Sequence, residues 1–245
     1  MTMSLIKDAV NFLLPANCSV CGRFPDADGK LPYDVPSDFH ICFDCLSKLI
    51  PHPEERRFFT CMSEPYKGDP IPGLLLYIPY PYKGFFEKAV PQIKFRGHSE
   101  LASFVGMMLG NIMAKDGITA DLVVPVPLAP SRQKERGFNQ AGLIAREASR
   151  IINVPYSEDV LVRTRDTLRQ TEITDSAQRG LNVHGAFKVS DDFVADGLTV
   201  LVVDDVSTTG NTLHEAAMAL YEAGAKKVLC CAASGNRAVL NAESI

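Results

Sequence analysis

From about Leu74 onward the chain alternates short, continuous apolar runs with longer stretches in which apolar residues recur every three or four positions. A short apolar run between turn signals fits a strand buried on both faces, and a period near 3.6 fits an amphipathic helix. The alternation therefore predicts βαβ units around an open parallel sheet with flanking helices. Strands are expected at Leu74 to Ile78, Leu122 to Val126, Leu161 to Arg163, Ala186 to Val189, Thr199 to Val203 and Val228 to Ala232. Helices are expected at Ser99 to Lys115, from Asn139 to about Ile152, and at Leu213 to Ala223. The first of these carries Leu101, Phe104, Val105, Met108, Leu109 and Ile112 on one side, and the side chain of Asn139 is placed to cap the second. Pro127 to Phe138 and Arg165 to Asn182 show no clear period and read as polar loops. A loop as long as the second, inside a compact domain, is usually functional.

The chain before Leu74 has a different texture. Ser4 to Leu14 reads as a short amphipathic helix, with Leu5, Ile6, Ala9, Val10, Leu13 and Leu14 on one face. It is too short to span a bilayer, has a charged middle and is followed by no small-residue cleavage site, so neither an anchor nor a signal peptide is expected. A cytoplasmic location follows. Residues 15 to 73 carry five of the seven cysteines, many prolines and little periodicity, which predicts a separate small module. The expected division is residues 1–72 for the N-terminal helix and this module and 73–245 for the α/β domain. A length of 245 residues suits one full domain plus an appendage, and 46% hydrophobic residues suit a substantial core. The formal charge of −4 excludes a surface built wholly for nucleic acid, so any polyanion site is local.

In a reducing compartment cysteines are read as metal ligands or core residues rather than disulfides. Cys18-x₂-Cys21 and Cys42-x₂-Cys45 are separated by twenty residues, a spacing that lets two knuckles bring four thiolates to one structural zinc ion. Unligated cysteines and an iron–sulfur cluster are the alternatives, and nothing around the pairs suggests redox tuning. Four thiolates leave no open coordination position, so the zinc would be structural. His40 and His52 read as surface histidines, and Cys230 and Cys231, inside an apolar run, as core.

The sharpest signal is the apolar run Thr199 to Val203, followed by Asp204-Asp205 and then Val206-Ser207-Thr208-Thr209-Gly210-Asn211-Thr212 at the start of a predicted helix. A buried strand fixes its own C-terminal end, the edge at which open parallel sheets bind ligands. Two carboxylates there can accept hydrogen bonds from the vicinal hydroxyls of a ribose. Small hydroxyl residues and Gly210 let backbone N–H groups close around a phosphate, aided by the positive helix start. Diol and phosphate together describe a ribose 5-phosphate. The chain has no Walker A loop and no G-x-G-x-x-G turn. A receiver domain also carries an acidic pair after an apolar strand, but near its start, whereas only about forty residues follow Asp205. The segment Val200 to Thr212 resembles the phosphoribosyl pyrophosphate (PRPP) motif of type I phosphoribosyltransferases. That resemblance implies a PRPP ligand accompanied by Mg²⁺, with Asp204 and Asp205 on the diol and Val206 to Thr212 around the 5′-phosphate.

Upstream, Leu122-Val123-Val124-Pro125-Val126-Pro127-Leu128 leads into Ser131-Arg132-Gln133-Lys134-Glu135-Arg136-Gly137-Phe138-Asn139-Gln140. Alone, Arg132, Lys134 and Arg136 would read as a solvated charge run. Beside the acidic motif they suit a pyrophosphate leaving group. Together with Ile93-Lys94-Phe95-Arg96-Gly97, Val124 to Leu128, Gln178-Arg179, Asn182, Gly185 and Phe187, the chain resembles the ComF family of competence-associated phosphoribosyltransferase-like proteins over nearly its whole length. The resemblance implies a type I phosphoribosyltransferase fold behind a zinc ribbon. It also makes Arg165 to Gly185 a covering loop that brings Arg165, Arg169 and Arg179 near the phosphates. Relatives often carry a second pair of cysteine knuckles downstream, where this chain keeps only Cys61. The implied activity is phosphoribosyl transfer with release of pyrophosphate, to a base, an amine or a nucleic-acid terminus. A PRPP-binding regulator without turnover is a rival, as is a nucleic-acid binder using zinc ribbon and basic loops. Implied partners are PRPP and either single-stranded DNA or proteins of the DNA-uptake machinery.

Overall fold

The computed structural model describes residues 17–24, 39–61, 74–164 and 185–235. The helix expected at Ser4 to Leu14, the 72/73 division and the loop arginines Arg165, Arg169 and Arg179 lie outside the described residues.

Strand β7 (Thr199–Ser207) is the axis of the molecule. Val200, Leu201, Val202 and Val203 are completely buried, because the strand lies between parallel neighbours and is covered on both faces. Its neighbours are β4 (Leu122–Pro125) and β8 (Lys227–Gly235), and the sheet continues through β2 (Leu74–Tyr77) to β1 (Phe58–Cys61), with the short β3 (Tyr80–Pro81) also on β8. β1 pairs with β2 antiparallel, so the expected parallel sheet is a mixed one whose outer pair alone among its ladders is reversed. The runs expected at Leu161 to Arg163 and Ala186 to Val189 do not join it. As β5 (Leu161–Arg163) and β6 (Phe187–Val189) they form a separate two-stranded antiparallel ribbon.

Alternate residues of the sheet feed two buried layers. Leu201 and Val203 of β7 and Leu229 and Cys231 of β8 share one with helices α2 (Phe85–Arg96), α3 (Ser99–Lys115) and α5 (Gln140–Ile152). Val200, Val202, Val228 and Cys230 share the other with helix α6 (Asn211–Glu222) and the β5–β6 ribbon. Helices α3 and α5 cross very closely. A Cβ on Gly106 would lie 2.6 Å from the Ile144 carbonyl oxygen, and one on Gly110 2.9 Å from the Ile151 Cβ. Those two glycines, with Ala145 and Ala148 in the same buried layer, let the two helices approach so closely.

The stretch expected as a loop from Pro127 to Phe138 contains a short helix, α4 (Pro130–Arg136), with Pro130 at its first turn and Gly137 left-handed at its end (φ 80°). Asn139 does not cap α5 with its side chain. Its Nδ2 donates to the Val126 carbonyl at 3.0 Å, tying the start of α5 to the end of β4.

The cysteine-bearing segment packs into the first layer. Val20, Ile41, Leu46 and Leu49, around the single-turn α1 (Phe43–Leu46), share their cluster with Phe85, Phe86 and Phe104. Behind β2, a buried network closes the sheet edge. Arg57 pairs with Asp116 at the end of α3 and donates to the His52 carbonyl, while the Tyr77 hydroxyl donates to Asp116 at 2.7 Å. Among the described residues, no helix is long and apolar enough to cross a membrane.

Candidate ligand and metal sites

The parallel strands β4, β7 and β8 all end on one edge, and Asp204 to Ser207 form that end of β7. The acidic pair is not a turn after the strand. β7 continues to Ser207, with Asp204 opposite Ala232 and Val206 opposite Ser234, so both acids lie within the strand. The Asp205 amide donates to Asp204 Oδ1 and the Val206 amide to Asp205 Oδ1, each at 2.8 Å. Burial first, and the charge of Asp205 second, push the Asp204 carboxyl up to about 7, with the Lys94 ammonium pulling it the other way. A carboxyl poised there is the sort of perturbation found at functional sites.

The chain then turns through Thr208 and Thr209 into Gly210, which is left-handed (φ 82°) and whose carbonyl accepts from the His214 amide at 2.9 Å. Only glycine holds that conformation without strain. Asn211 and Thr212 open α6. Among the described residues, the buried hydroxyls Ser207 Oγ and Thr209 Oγ1 have no hydrogen-bond partner, and neither does Ser234 Oγ on β8, in the residue opposite Val206. Buried hydroxyls are almost always satisfied, so a group of orphans around a helix start fits an anion with oxygens to accept from them. The loop thus fits a phosphate, and the adjoining carboxylates fit a diol and a hard divalent cation, which takes oxygen ligands.

The cationic side is built by α4 and α2. Arg132 and Arg136 are half-buried on α4, and Lys134 is exposed. The Arg136 guanidinium lies over the exposed ring of Phe95, 5.7 Å from its centroid. The preceding residue, Lys94, donates to Asp205 Oδ2 at 2.8 Å. One turn at the end of α2 therefore touches both the acidic and the cationic half of the site. Ile93 to Gly97 carries a family resemblance in the sequence, and nothing in its spacing signals the Asp205 contact. Gln140, at the start of α5, is buried, and its Nε2 has no hydrogen-bond partner among the described residues.

The β5–β6 ribbon borders the same edge. Arg163 lies over the Phe187 ring, and its Nη1 is 3.4 Å from the Pro127 carbonyl. The chain leaves the ribbon at Thr164 and returns at Gly185, where Thr164 Oγ1 donates to the Gly185 carbonyl at 3.1 Å. The Gly185 amide donates to Glu215 of α6 at 2.8 Å. Residues 164 and 185, which flank the segment carrying Arg165, Arg169 and Arg179, are thus tied to each other and to the first turns of α6.

The second cluster is the set of cysteines. The sulfur atoms of Cys18, Cys21, Cys42 and Cys45 lie within 4.8 Å of one another, with Cys21 and Cys42 at 3.7 Å. With Zn–S bonds of about 2.3 Å, the edge of a tetrahedron is about 3.8 Å, so the donor set fits zinc. The backbone supports the knuckles. Gly22 N donates to the Cys18 carbonyl at 2.8 Å, and Cys42 N to Cys18 Sγ at 3.3 Å. The thiols compete for charge. The hydrogen bond from Cys45 pulls Cys18 down to about 4, burial pushes Cys42 up, and Cys45 is driven up by its bond to Cys18. A dication among four thiolates removes that competition. His40 and His52 are not in the cluster, Cys230 and Cys231 are buried in the core, and the Cys61 side chain is outside the described residues.

Comparison with known proteins gives a consistent picture. Residues 134–241 match the phosphoribosyl transferase domain model. The DNA utilization protein YhgH of Escherichia coli K12 is 33% identical over 220 residues, covering 86% of each chain. Competence protein ComFC of Bacillus subtilis is 30% identical over 153 residues, 59% of this chain and 57% of its own. Competence protein F of Haemophilus influenzae is 32% identical over 111 residues, 44% and 47% respectively.

Proposed function

The chain belongs to the ComF family of phosphoribosyltransferase-domain proteins, and from that premise we propose that it binds PRPP with magnesium and transfers the phosphoribosyl group, releasing pyrophosphate. The observation that carries this reading is the juxtaposition, on one sheet edge, of the Asp204–Asp205 pair with the orphaned hydroxyls of Ser207 and Thr209. Val206 to Thr212 wrap the 5′-phosphate, and Asp204 and Asp205 accept from the ribose hydroxyls and would hold the magnesium. Bound magnesium supplies neutralising charge to the leaving pyrophosphate. Arg132, Lys134 and Arg136 add to that neutralisation, together with Arg165, Arg169 and Arg179 of the segment between Thr164 and Gly185. Displacement at C1′ passes through an oxocarbenium-like state, for which placement and electrostatics are the main requirements.

We assign Cys18, Cys21, Cys42 and Cys45 to one structural zinc. Residues 1–72 then form the metal-held module and 73–245 the ligand-binding domain, the module lending β1 to the sheet edge. The reduced cysteine set fits the cytoplasm. The names of the relatives, DNA utilization and competence proteins, support a role in handling incoming DNA, with single-stranded DNA or the uptake machinery as partner. The test is pyrophosphate release from PRPP against a panel of bases, nucleosides and single-stranded DNA. Release with one acceptor class identifies the substrate. Tight PRPP binding without release by any of them would make the protein a PRPP-responsive regulator.

A further inference from the structure

Three of the four oxygens of the acid pair are already engaged. Of the four carboxylate oxygens, Asp204 Oδ1 and Asp205 Oδ1 accept backbone amides and Asp205 Oδ2 accepts Lys94 Nζ at 2.8 Å. The ion pair is well shielded, with side-chain exposures of 25% for Lys94 and 12% for Asp205. Lys94 does not belong to the ligand loops. It comes from the last turn of α2, and its neighbour Phe95 carries Arg136 over its ring. An ammonium seated on Asp205 occupies the charge position that a divalent cation and a ribose hydroxyl need, and two cations on one carboxylate oxygen repel.

We propose that Lys94 is a resident counter-ion of the acid pair and that magnesium and ribose bind by displacing it. This inference rests on the PRPP-binding reading of the same edge and adds to it a positioning residue that sets how tightly the bare site takes a metal ion. In the free protein Lys94 keeps two adjacent acids from repelling each other at the end of a buried strand. When ligand arrives, the metal takes over that neutralisation, and the end of α2, including Phe95 and its contact with Arg136, is released from the acidic half. Metal alone is a poor competitor for the occupied carboxylate, whereas PRPP brings diol, phosphate and pyrophosphate contacts that offset the lost ion pair.

The test uses the full chain with zinc bound and Mn²⁺ as the probe, titrated without PRPP and followed by electron paramagnetic resonance. The variants are Lys94→Met and Lys94→Arg, with the Asp204→Asn/Asp205→Asn double variant as control. Removing one charged hydrogen bond that must otherwise be broken should tighten Mn²⁺ binding about tenfold in Lys94→Met. Lys94→Arg should stay near the parent, and the acid double variant should lose the site. A merely structural lysine would not produce tighter metal binding on removal. Unchanged or weaker Mn²⁺ binding in Lys94→Met, with its melting temperature intact, would overturn the proposal. PRPP is titrated in parallel. If Lys94→Met tightens Mn²⁺ but no form of the protein binds PRPP, the counter-ion role stands and the PRPP reading falls.

Discussion

Replacing Asp204 by Asn should make the protein more stable at mildly alkaline pH. The Asp204 carboxyl is held up to about 7 against an ordinary 3.8, first by burial and then by the neighbouring charge of Asp205, with the Lys94 ammonium opposing them and the buried Cys231 thiol behind it. Between those two values the folded chain keeps a proton that the unfolded chain has given up. The contribution of this group to stability is therefore complete below about pH 4 and is lost as pH rises through about 7. At about 1.4 kcal/mol for each unit of difference, the loss is on the order of 4 kcal/mol, an upper limit because water entering the open edge screens the charge. Asn keeps the shape and the oxygen that accepts from the Asp205 amide but does not titrate. Urea unfolding of zinc-loaded parent and variant should give nearly equal stabilities at about pH 4, with the variant ahead by up to that amount at about pH 8. Equal pH dependence of the two proteins would refute the reasoning, because it would mean that Asp204 is ionised in the fold at no cost. The result also bears on function, since an acid pair that costs stability is retained for what it binds.

Gly210→Val forces a branched side chain onto a left-handed residue at the phosphate loop. PRPP should then no longer raise the melting temperature, while the far-ultraviolet spectrum stays folded. Elemental analysis should give about one zinc per chain, and Cys42→Ser or a strong chelator should lower the melting temperature, since closed thiolate sites contribute folding energy directly. Asp116→Ala leaves the Arg57 guanidinium buried beside the Tyr77 hydroxyl without its carboxylate. Denaturant unfolding should show a loss of about 3–5 kcal/mol.

The parts of this molecule that could be read from the chain are those set by local period and spacing. Thr199 to Val203 is legible as a buried strand because the run is short, continuous and rich in β-branched residues, and α3 and α5 follow from apolar stripes that their neighbours bury. Cys18, Cys21, Cys42 and Cys45 are brought together as the knuckle spacing requires. What escaped depends on tertiary pairing. β7 runs on past its apolar segment to Ser207 because β8 offers it partners as far as Gly235, which converts the acids from a turn into strand residues. α2 is interrupted in sequence by Pro91, a residue that argues against a helix interior, yet the helix runs through it. α4 carried a signal that was available, Pro130 at the start and Gly137 just past the end, outweighed by its polarity. The β5–β6 ribbon has the composition of any short strand, and only pairing shows that it leaves the main sheet. The contact between Lys94 and Asp205 joins residues far apart in the chain, and no period or motif encodes it.

The central claim is that the edge at Asp204, Asp205 and the Ser207 to Thr212 loop is a ribose phosphate site, and calorimetric titration of parent and Asp204→Asn/Asp205→Asn protein with magnesium–PRPP tests it most directly. Ribose 5-phosphate serves as the second ligand, since it shares the diol and phosphate and lacks the pyrophosphate. Hydrogen bonds to charged groups contribute about 1.5–3 kcal/mol each, so losing two should weaken both ligands by about 3–6 kcal/mol, a factor of about 10² to 10⁴. Substituting Arg132 and Arg136 should weaken PRPP and leave ribose 5-phosphate nearly unchanged. A double variant that binds both ligands as the parent does would contradict the account.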